Sequence, residues 1–188
     1  MSALLALLLA MTPLPPAEAQ FPSRAVGSDP RSQRPWVLSG ELGWNGLAGV
    51  GVLLARHLTP WFSLEAGLGV SAEGGKAGMR ARVNVLTDPW SPFLGAGFLY
   101  CTGVPVGDSG SGSGFQYDIG PSPYLQFVAG YEYQARGGFA FSAAVGYARL
   151  LKENLIIRSG RPTQDDLSSI HIAYGSGVVA SISLGYAF

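Results

Sequence analysis

The 188-residue chain has 27 glycines, 11% aromatic and only 13% charged residues, with 12 Lys and Arg balanced by 12 Asp and Glu. That length suits one domain, and the balance of charge offers no basic field to a nucleic acid. No stretch reaches the ~20 apolar residues of a membrane helix, and the single cysteine, Cys101, excludes an intramolecular disulfide framework.

Ser2 to Met11 form a short apolar run, followed by Thr12-Pro13-Leu14-Pro15-Pro16 and Ala17-Glu18-Ala19. Ala17 and Ala19 fit the −3 and −1 positions of a cleavage site, so residues 1–19 are expected to be a signal peptide cut after Ala19. No Lys or Arg precedes the run, leaving the α-amine as its positive end; the competing reading is a buried N-terminal helix. Residues 20–34 mix Pro, Ser, Gly, Arg and Asp without period and read as a flexible tether.

Beyond the tether, apolar residues alternate with small ones, the period of a strand. Trp36, Leu38, Leu42 and Trp44 share one face, with Val37, Ser39, Glu41 and Gly43 on the other. Asn45-Gly46 is a hairpin signal. A second strand is expected over Leu47 to Leu58, with Ala48, Val50, Val52, Leu54 and Leu58 apolar and Arg56 placed to snorkel. After the turn at Thr59-Pro60-Trp61 come Phe62, Leu64, Ala66, Leu68 and Val70. Glu73 to Gly78 reads as a polar glycine-rich loop before Met79, Ala81, Val83 and Val85. Thr87-Asp88-Pro89-Trp90 turns into Leu94, Ala96, Phe98 and Tyr100. Thr102 to Pro121, with its Gly/Ser run, reads as a loop with no core to bury.

Leu125, Phe127, Ala129, Tyr131 and Tyr133 make a sixth apolar face, and Phe139, Phe141, Ala143, Val145 and Tyr147 a seventh. Lys152 to Ser169 is a long connection, and Ile170 to Phe188 an eighth strand with one parity throughout. It projects beyond the ~9–11 residues needed to cross a bilayer, with Leu155 and Ile157 expected to pair across to Ile170 and Ile172. Short turns near Pro60, Pro89 and Gly137-Gly138 fall on one rim and the long connections on the other. Trp36, Trp61, Phe62, Trp90, Phe139, Tyr186 and Phe188 gather at the short-turn rim, and Trp44, Tyr100 and Tyr147 at the other, as two girdles do. A soluble sandwich would also collect aromatics, but the faces between them are too small to be an ordinary wetted surface. The fold expected over residues 35–188 is all-β, an eight-stranded antiparallel up-and-down transmembrane β-barrel.

Glu41, Glu65, Arg80, Arg82 and Glu132 fall on the inward parity. A charge in a narrow lumen needs a partner, so these five are expected to form a charge cluster with Arg82 between Glu41 and Glu65, Arg80 above and Glu132 below. The sharper alternative is a gate or proton-linked pore.

The leader, the eight alternating segments, Thr87-Asp88-Pro89 running into Leu94-Gly95-Ala96-Gly97-Phe98, and the ending Gly185-Tyr186-Ala187-Phe188 together resemble the small OmpA-like and OmpX-like outer-membrane β-barrel proteins. The resemblance implies secretion to the periplasm and residence in the outer membrane of a Gram-negative bacterium, surrounded by its lipid. It also implies that Leu184, Tyr186 and Phe188 on the closing strand are the signal read by the barrel-assembly machinery. A monomer without cofactor is expected.

Some small outer-membrane barrels act on lipid A, which needs a nucleophile, a base and an orienting group. His57 and His171 are the only histidines, at opposite rims by parity; Ser168, Ser169 and Asp166 lie near His171, without the His-x-Ser-Asn pattern of the deacylases. Cys101 reads as a small apolar filler, and neither a metal-ligand cluster nor a phosphate loop is found. The expectation is a non-enzymatic barrel with a structural or surface-loop role, the alternative being a conduit or carrier for a small or apolar solute.

Overall fold

In the computed structural model, which describes residues 29–106, 116–153, 155–160 and 163–188, the alternation becomes eight antiparallel strands closed into a barrel. They are β1 (Trp36–Trp44), β2 (Val50–Thr59), β3 (Phe62–Ser71), β4 (Gly74–Asn84), β5 (Trp90–Cys101), β8 (Ser122–Gln134), β9 (Phe139–Leu150) and β11 (Gly177–Ala187). Outside the barrel wall lie β6 (Val104–Val106), β7 (Gln116–Ile119), β10 (Leu155–Ser159), a one-turn α1 (Pro30–Gln33) and α2 (Gln164–Tyr174). The wall runs β1-β11-β9-β8-β5-β4-β3-β2, so each wall strand pairs with its neighbours in the chain and the last closes on the first. Closure runs from Val37 opposite Ala187 to Trp44 opposite Ala180, which leaves no free edge.

The barrel is apolar outside. Leu64, Leu68, Val83, Phe127, Val145 and Ile182 all point outward, Leu68 at 64% exposure, while Glu65 three residues earlier is 4% exposed inside. Trp36, Trp61, Trp90, Phe139, Tyr186 and Phe188 are exposed at the rim with short turns, and Trp44, Tyr100 and Tyr147 at the rim with loops. Trp90 and Tyr133, opposite in register, stack with ring centroids 4.5 Å apart. Among the described residues no helix is long and apolar enough to cross a membrane, which says nothing of the strands.

At the loop rim the chain departs from the expected layout in four places. Glu73 to Gly78 is not a solvated loop: β4 begins at Gly74, and Glu73 and Lys76 are buried. The tight turn works because Gly74 takes φ +94, and the Tyr124 hydroxyl lies 2.8 Å from the Glu73 carboxylate. The stretch Thr102 to Pro121 does have something to bury. Its β6 and β7 pair with β10 in a three-stranded sheet, and Tyr117 and Ile119 pack with Ile170; residues 107–115, which hold the Gly/Ser run, lie outside the described residues. Leu155 and Ile157 pair with Ile119 and Tyr117, not with Ile170 and Ile172. Finally, Ile170 to Tyr174 is helical and β11 starts only at Gly177. Leu167, Ile170 and Tyr174 stand at i, i+3 and i+7, a helix face, so Ile170 is buried while Ile172 is 78% exposed.

Two segments enter the barrel. Leu47 and Ala48, expected on the second strand with Ala48 outward, instead turn into the lumen and are fully buried. Asn45 at φ 52 and Gly49 at φ 71 reverse the chain on either side of them. Leu47 rests on inward glycines of the wall: a Cβ at Gly78 would come within 2.7 Å of its Cδ1, and one at Gly67 within 3.1 Å of its Cγ. From the other end, residues 29–34 of the expected tether fold into the lumen mouth, with Arg31 at 0% exposure. The remaining tether residues 20–28 and the expected signal peptide 1–19 lie outside the described residues.

Leu47→Ala should therefore cost about 2–5 kcal/mol, the range for emptying a buried leucine site. The exposed Ile157→Ala should change stability by less than about 0.5 kcal/mol. Urea unfolding of the barrel in detergent micelles measures both, and equal losses would mean that Leu47 does not pack in the lumen.

Candidate functional site in the lumen

The five inward charges all lie inside the barrel, each no more than 4% exposed. Register explains the first contact, because Glu65 on β3 and Arg80 on β4 are direct cross-strand partners. Arg80 donates from Nη2 to Glu65 Oε2 at 2.6 Å and from Nε at 2.7 Å. Arg82, two residues along and on the same face, reaches the other carboxylate oxygen from Nη1 at 2.7 Å. Its Nη2 bonds Glu132 on β8 across the lumen. Inward glycines make room for these long side chains: opposite Arg80 and Arg82 stand Gly97 and Gly95, and a Cβ at Gly97 would fall 2.9 Å from the Arg80 Cβ. The Arg82 guanidinium also lies over the Phe93 ring, 4.2 Å from its centroid.

Arg82 thus joins Glu65 to Glu132, and the expected sandwich of Arg82 between Glu41 and Glu65 is not formed. Glu41 turns instead to the inserted loop, accepting from the Leu47 N–H at 3.1 Å and the Ala48 N–H at 2.7 Å. The reason is local. Leu47 and Ala48 bring two backbone donors into the lumen, and a carboxylate satisfies both without help from an arginine. Gln126 links this end to the arginines, donating to the Asn45 carbonyl at 2.8 Å and accepting from Arg80 at 3.4 Å.

At the other end the chain of charges continues into α1. Arg31 Nε donates to Glu132 at 2.7 Å, and its Nη1 to the Asp88 carbonyl at 2.9 Å. Asp29 caps α1 by accepting from the Arg31 N–H and lies 3.5 Å from its guanidinium. Gln134 Nε2 holds the segment by donating to the Pro30 and Arg34 carbonyls. In this segment, outside the barrel strands, burial pushes the Asp29 carboxyl up and the Arg31 guanidinium down from their ordinary values. Sequence periodicity missed Arg31 because a single buried turn has no period to read. Its one signal is Asp29-Pro30, a capping residue before a proline at N1.

A polar path therefore runs the length of the lumen: Glu41 and Asn45, Gln126, Arg80, Glu65, Arg82, Glu132, Arg31. Beside it, between His57, Glu65, Arg82, Glu132 and Gln134, is a cavity of about 20 Å³, the size for one water molecule. Both His57 ring nitrogens and Arg82 Nε make no hydrogen bond among the described residues, and His57 Nε2 lies 3.8 Å from Glu132.

The other titratable groups are placed apart from this path. His171 is at the loop rim, 3.0 Å from Glu153 and far in sequence and height from His57. The Ser168 hydroxyl bonds its own helix at the Gln164 carbonyl, and the side chains of Asp166 and Ser169 lie outside those described. Cys101 is buried beside Tyr124 and Ala148 in the apolar cluster at the loop end. Among the described residues no group of His, Cys, Asp and Glu could hold a metal ion. Leu184, Tyr186 and Phe188 point outward, and Phe188 exchanges backbone hydrogen bonds with Trp36 at the seam of the barrel.

Arg82→Met should be costly, because it leaves Glu65 half-paired and removes a partner of Glu132; breaking such a buried arrangement costs about 3–5 kcal/mol. Replacing Glu65, Arg80 and Arg82 together by apolar residues of similar size, which leaves Glu132 paired with Arg31, should cost much less. Urea titration of the two variants compares them, and a larger loss in the triple variant would contradict the assignment.

No protein-family profile matches the chain, and no curated protein sequence matches it. Among solved structures the chain is similar to the crystal structure of Acinetobacter baumannii CarO, at 13% identity over 82% of this chain and 98% of that one, with a TM-score of 0.43. It is similar also to Acinetobacter baumannii CarO2, at 15% identity over 82% of this chain and 99% of that one, with a TM-score of 0.42.

Proposed function

We propose that the protein is a non-enzymatic β-barrel of a Gram-negative outer membrane, closed to solutes, with a structural role or a role in surface contact through its loops. The observation that carries this reading is the inversion of polarity: exposed Leu, Val and Phe outside and an ion-paired, hydrogen-bonded lumen inside. In water that arrangement would expose a continuous apolar band far beyond what a soluble monomer tolerates. In a bilayer the same band is solvated by acyl chains, with aromatic side chains at its two edges. The closed ladder around the wall pairs the backbone of each strand with both neighbours, as a span through lipid requires.

The short turns and both ends of the wall then face the periplasm, and the β6-β7-β10 sheet with α2 faces outward. The exposed side chains of Leu184, Tyr186 and Phe188 on the strand that closes against β1 suit recognition of β11 by an assembly machinery. The loop assembly has a cavity of about 340 Å³ between Ile119, Leu150, Ile170 and Tyr174, with His171 and Glu153 at its edge, which gives the outer surface a shaped feature for contact.

A conduit is the second reading, and one observation favours it. Asp29 and Arg31 enter the lumen as an internally neutral pair, so α1 could leave without stranding a net charge among Glu65, Arg80, Arg82 and Glu132. The two readings separate on Arg31→Ala. A closed barrel should keep proteoliposomes tight to a small sugar in this variant, because Arg82 and Leu47 still block the lumen. A conduit gated by α1 should leak.

The membrane assignment is tested at Leu68. An arginine there, on the outward face near the middle of β3, should cost about 2–4 kcal/mol of folding into lipid vesicles, and an arginine at the rim position Leu58 at most about 1 kcal/mol. Equal cost at both positions, measured by denaturant titration of the vesicle-folded protein, would place the apolar band somewhere other than in lipid.

A further inference from the structure

We propose that the short-turn rim carries a site for the phosphate of an anionic phospholipid headgroup, formed by Arg34, Arg56 and Arg136 along one arc of the barrel; the site rests on the membrane reading above. The arc runs β2, β1, β11 and the β8–β9 turn, which are consecutive around this part of the wall apart from the turn, shared by β8 and β9. Arg56 is exposed on the outward face of β2, opposite Trp36 in register, and its guanidinium lies 5.0 Å from the centre of the Trp36 ring. Arg34 lies over Tyr186, 5.7 Å from the ring centre, and donates from Nη1 to the Tyr186 hydroxyl at 3.2 Å and the Ala187 carbonyl at 3.1 Å. Arg136 is exposed in the turn after β8. Tyr186 also joins that turn to the arc: its ring lies against Gly138, where a Cβ would come within 2.6 Å of Cζ, and the Ala187 N–H donates to the Gly138 carbonyl. Gly138 takes φ +101, so the turn can pass under the ring only with glycine there.

Three features point to a lipid phosphate. First, these guanidiniums have no carboxylate partner among the described residues, although the buried arginines Arg31, Arg80 and Arg82 are all paired. Of the acidic side chains near this rim, Asp29 and Glu132 lie inside on Arg31, and Asp88 is half-buried on the β4–β5 turn, beyond β8. Second, two of them are laid over aromatic rings, which fixes the planar fork at low entropy cost and leaves N–H groups free for a phosphate. Third, exposed Trp36 and Tyr186 put the arc at headgroup level, with the apolar outward faces of Leu38, Leu54 and Leu184 below for an acyl chain. At the loop rim Arg158 meets Asp118 and His171 meets Glu153, while exposed Arg149 and Lys152 lie over no aromatic ring among the described residues.

The test starts by folding the protein into phosphatidylcholine vesicles; failure of the parent to insert would remove the membrane reading and the site with it. Native mass spectrometry of the folded barrel, titrated with phosphatidylglycerol or phosphatidylcholine, then reads the site itself. Phosphatidylglycerol should bind first, and Arg34→Gln, Arg56→Gln and Arg136→Gln should each weaken it about fivefold, the usual contribution of one basic residue at an anionic surface. Lys152→Gln, an exposed cation in the long loop, should leave binding unchanged, and inorganic phosphate should not displace the lipid. Parental affinity in the triple variant would overturn the site. So would an equal loss in Lys152→Gln, or complete displacement by inorganic phosphate, which would reduce the arc to a general anion attractor.

Discussion

The centre of the lumen depends on Arg82 standing between two carboxylates. An eight-stranded wall leaves an interior only wide enough for side chains, and a buried charge without a partner there would cost several kcal/mol. Arg82 answers both demands by bonding Glu65 on one side and Glu132 on the other. Each carboxylate then takes a second arginine, Arg80 or Arg31, so positive and negative charges alternate along the barrel axis. Inward glycines on β5 are part of the same solution, because larger residues would occupy the space through which the arginines cross.

This alternation lets the two ends close from opposite directions. At the loop end a carboxylate, Glu41, gathers the backbone of Leu47 and Ala48, while at the turn end a carboxylate, Glu132, gathers Arg31. Neither insertion is held by apolar packing alone. Leu47 seats on glycines of the wall, and α1 is fixed by Gln134, the Asp88 carbonyl and Glu132 together. The lumen is therefore filled by polar bonds at its centre and by chain at its mouths.

Much of this was legible in the residues, and the rest was not for identifiable reasons. Period-two alternation put Leu64, Leu68 and Val145 outside and Glu65, Arg80 and Arg82 inside, because every residue of a strand must choose a face. Parity could not say which charge meets which: Glu65 and Arg80 meet through register, but Glu41 was lost to two backbone donors that no side-chain pattern reveals. Ile170, Ile172 and Tyr174 fit period two over five residues, too short to exclude the helix that Leu167 completes. Arg31 was hidden in a segment whose composition is that of a linker, where burial comes from one side chain and not from a repeated pattern.

The outside of the barrel follows from the same economy of contacts. With charge confined to the axis and to the rims, the wall between can be uniformly apolar, and the guanidiniums of Arg34 and Arg56 at the short-turn rim lie over aromatic rings. The central claim, that the ionic path through Arg82 closes the lumen, is tested most directly by conductance across a planar bilayer. The native barrel should pass little current, and Arg82→Ala should leak more as Glu65 and Glu132 lose the bridge between them. A large steady current through the native protein, unchanged in Arg82→Ala, would contradict it.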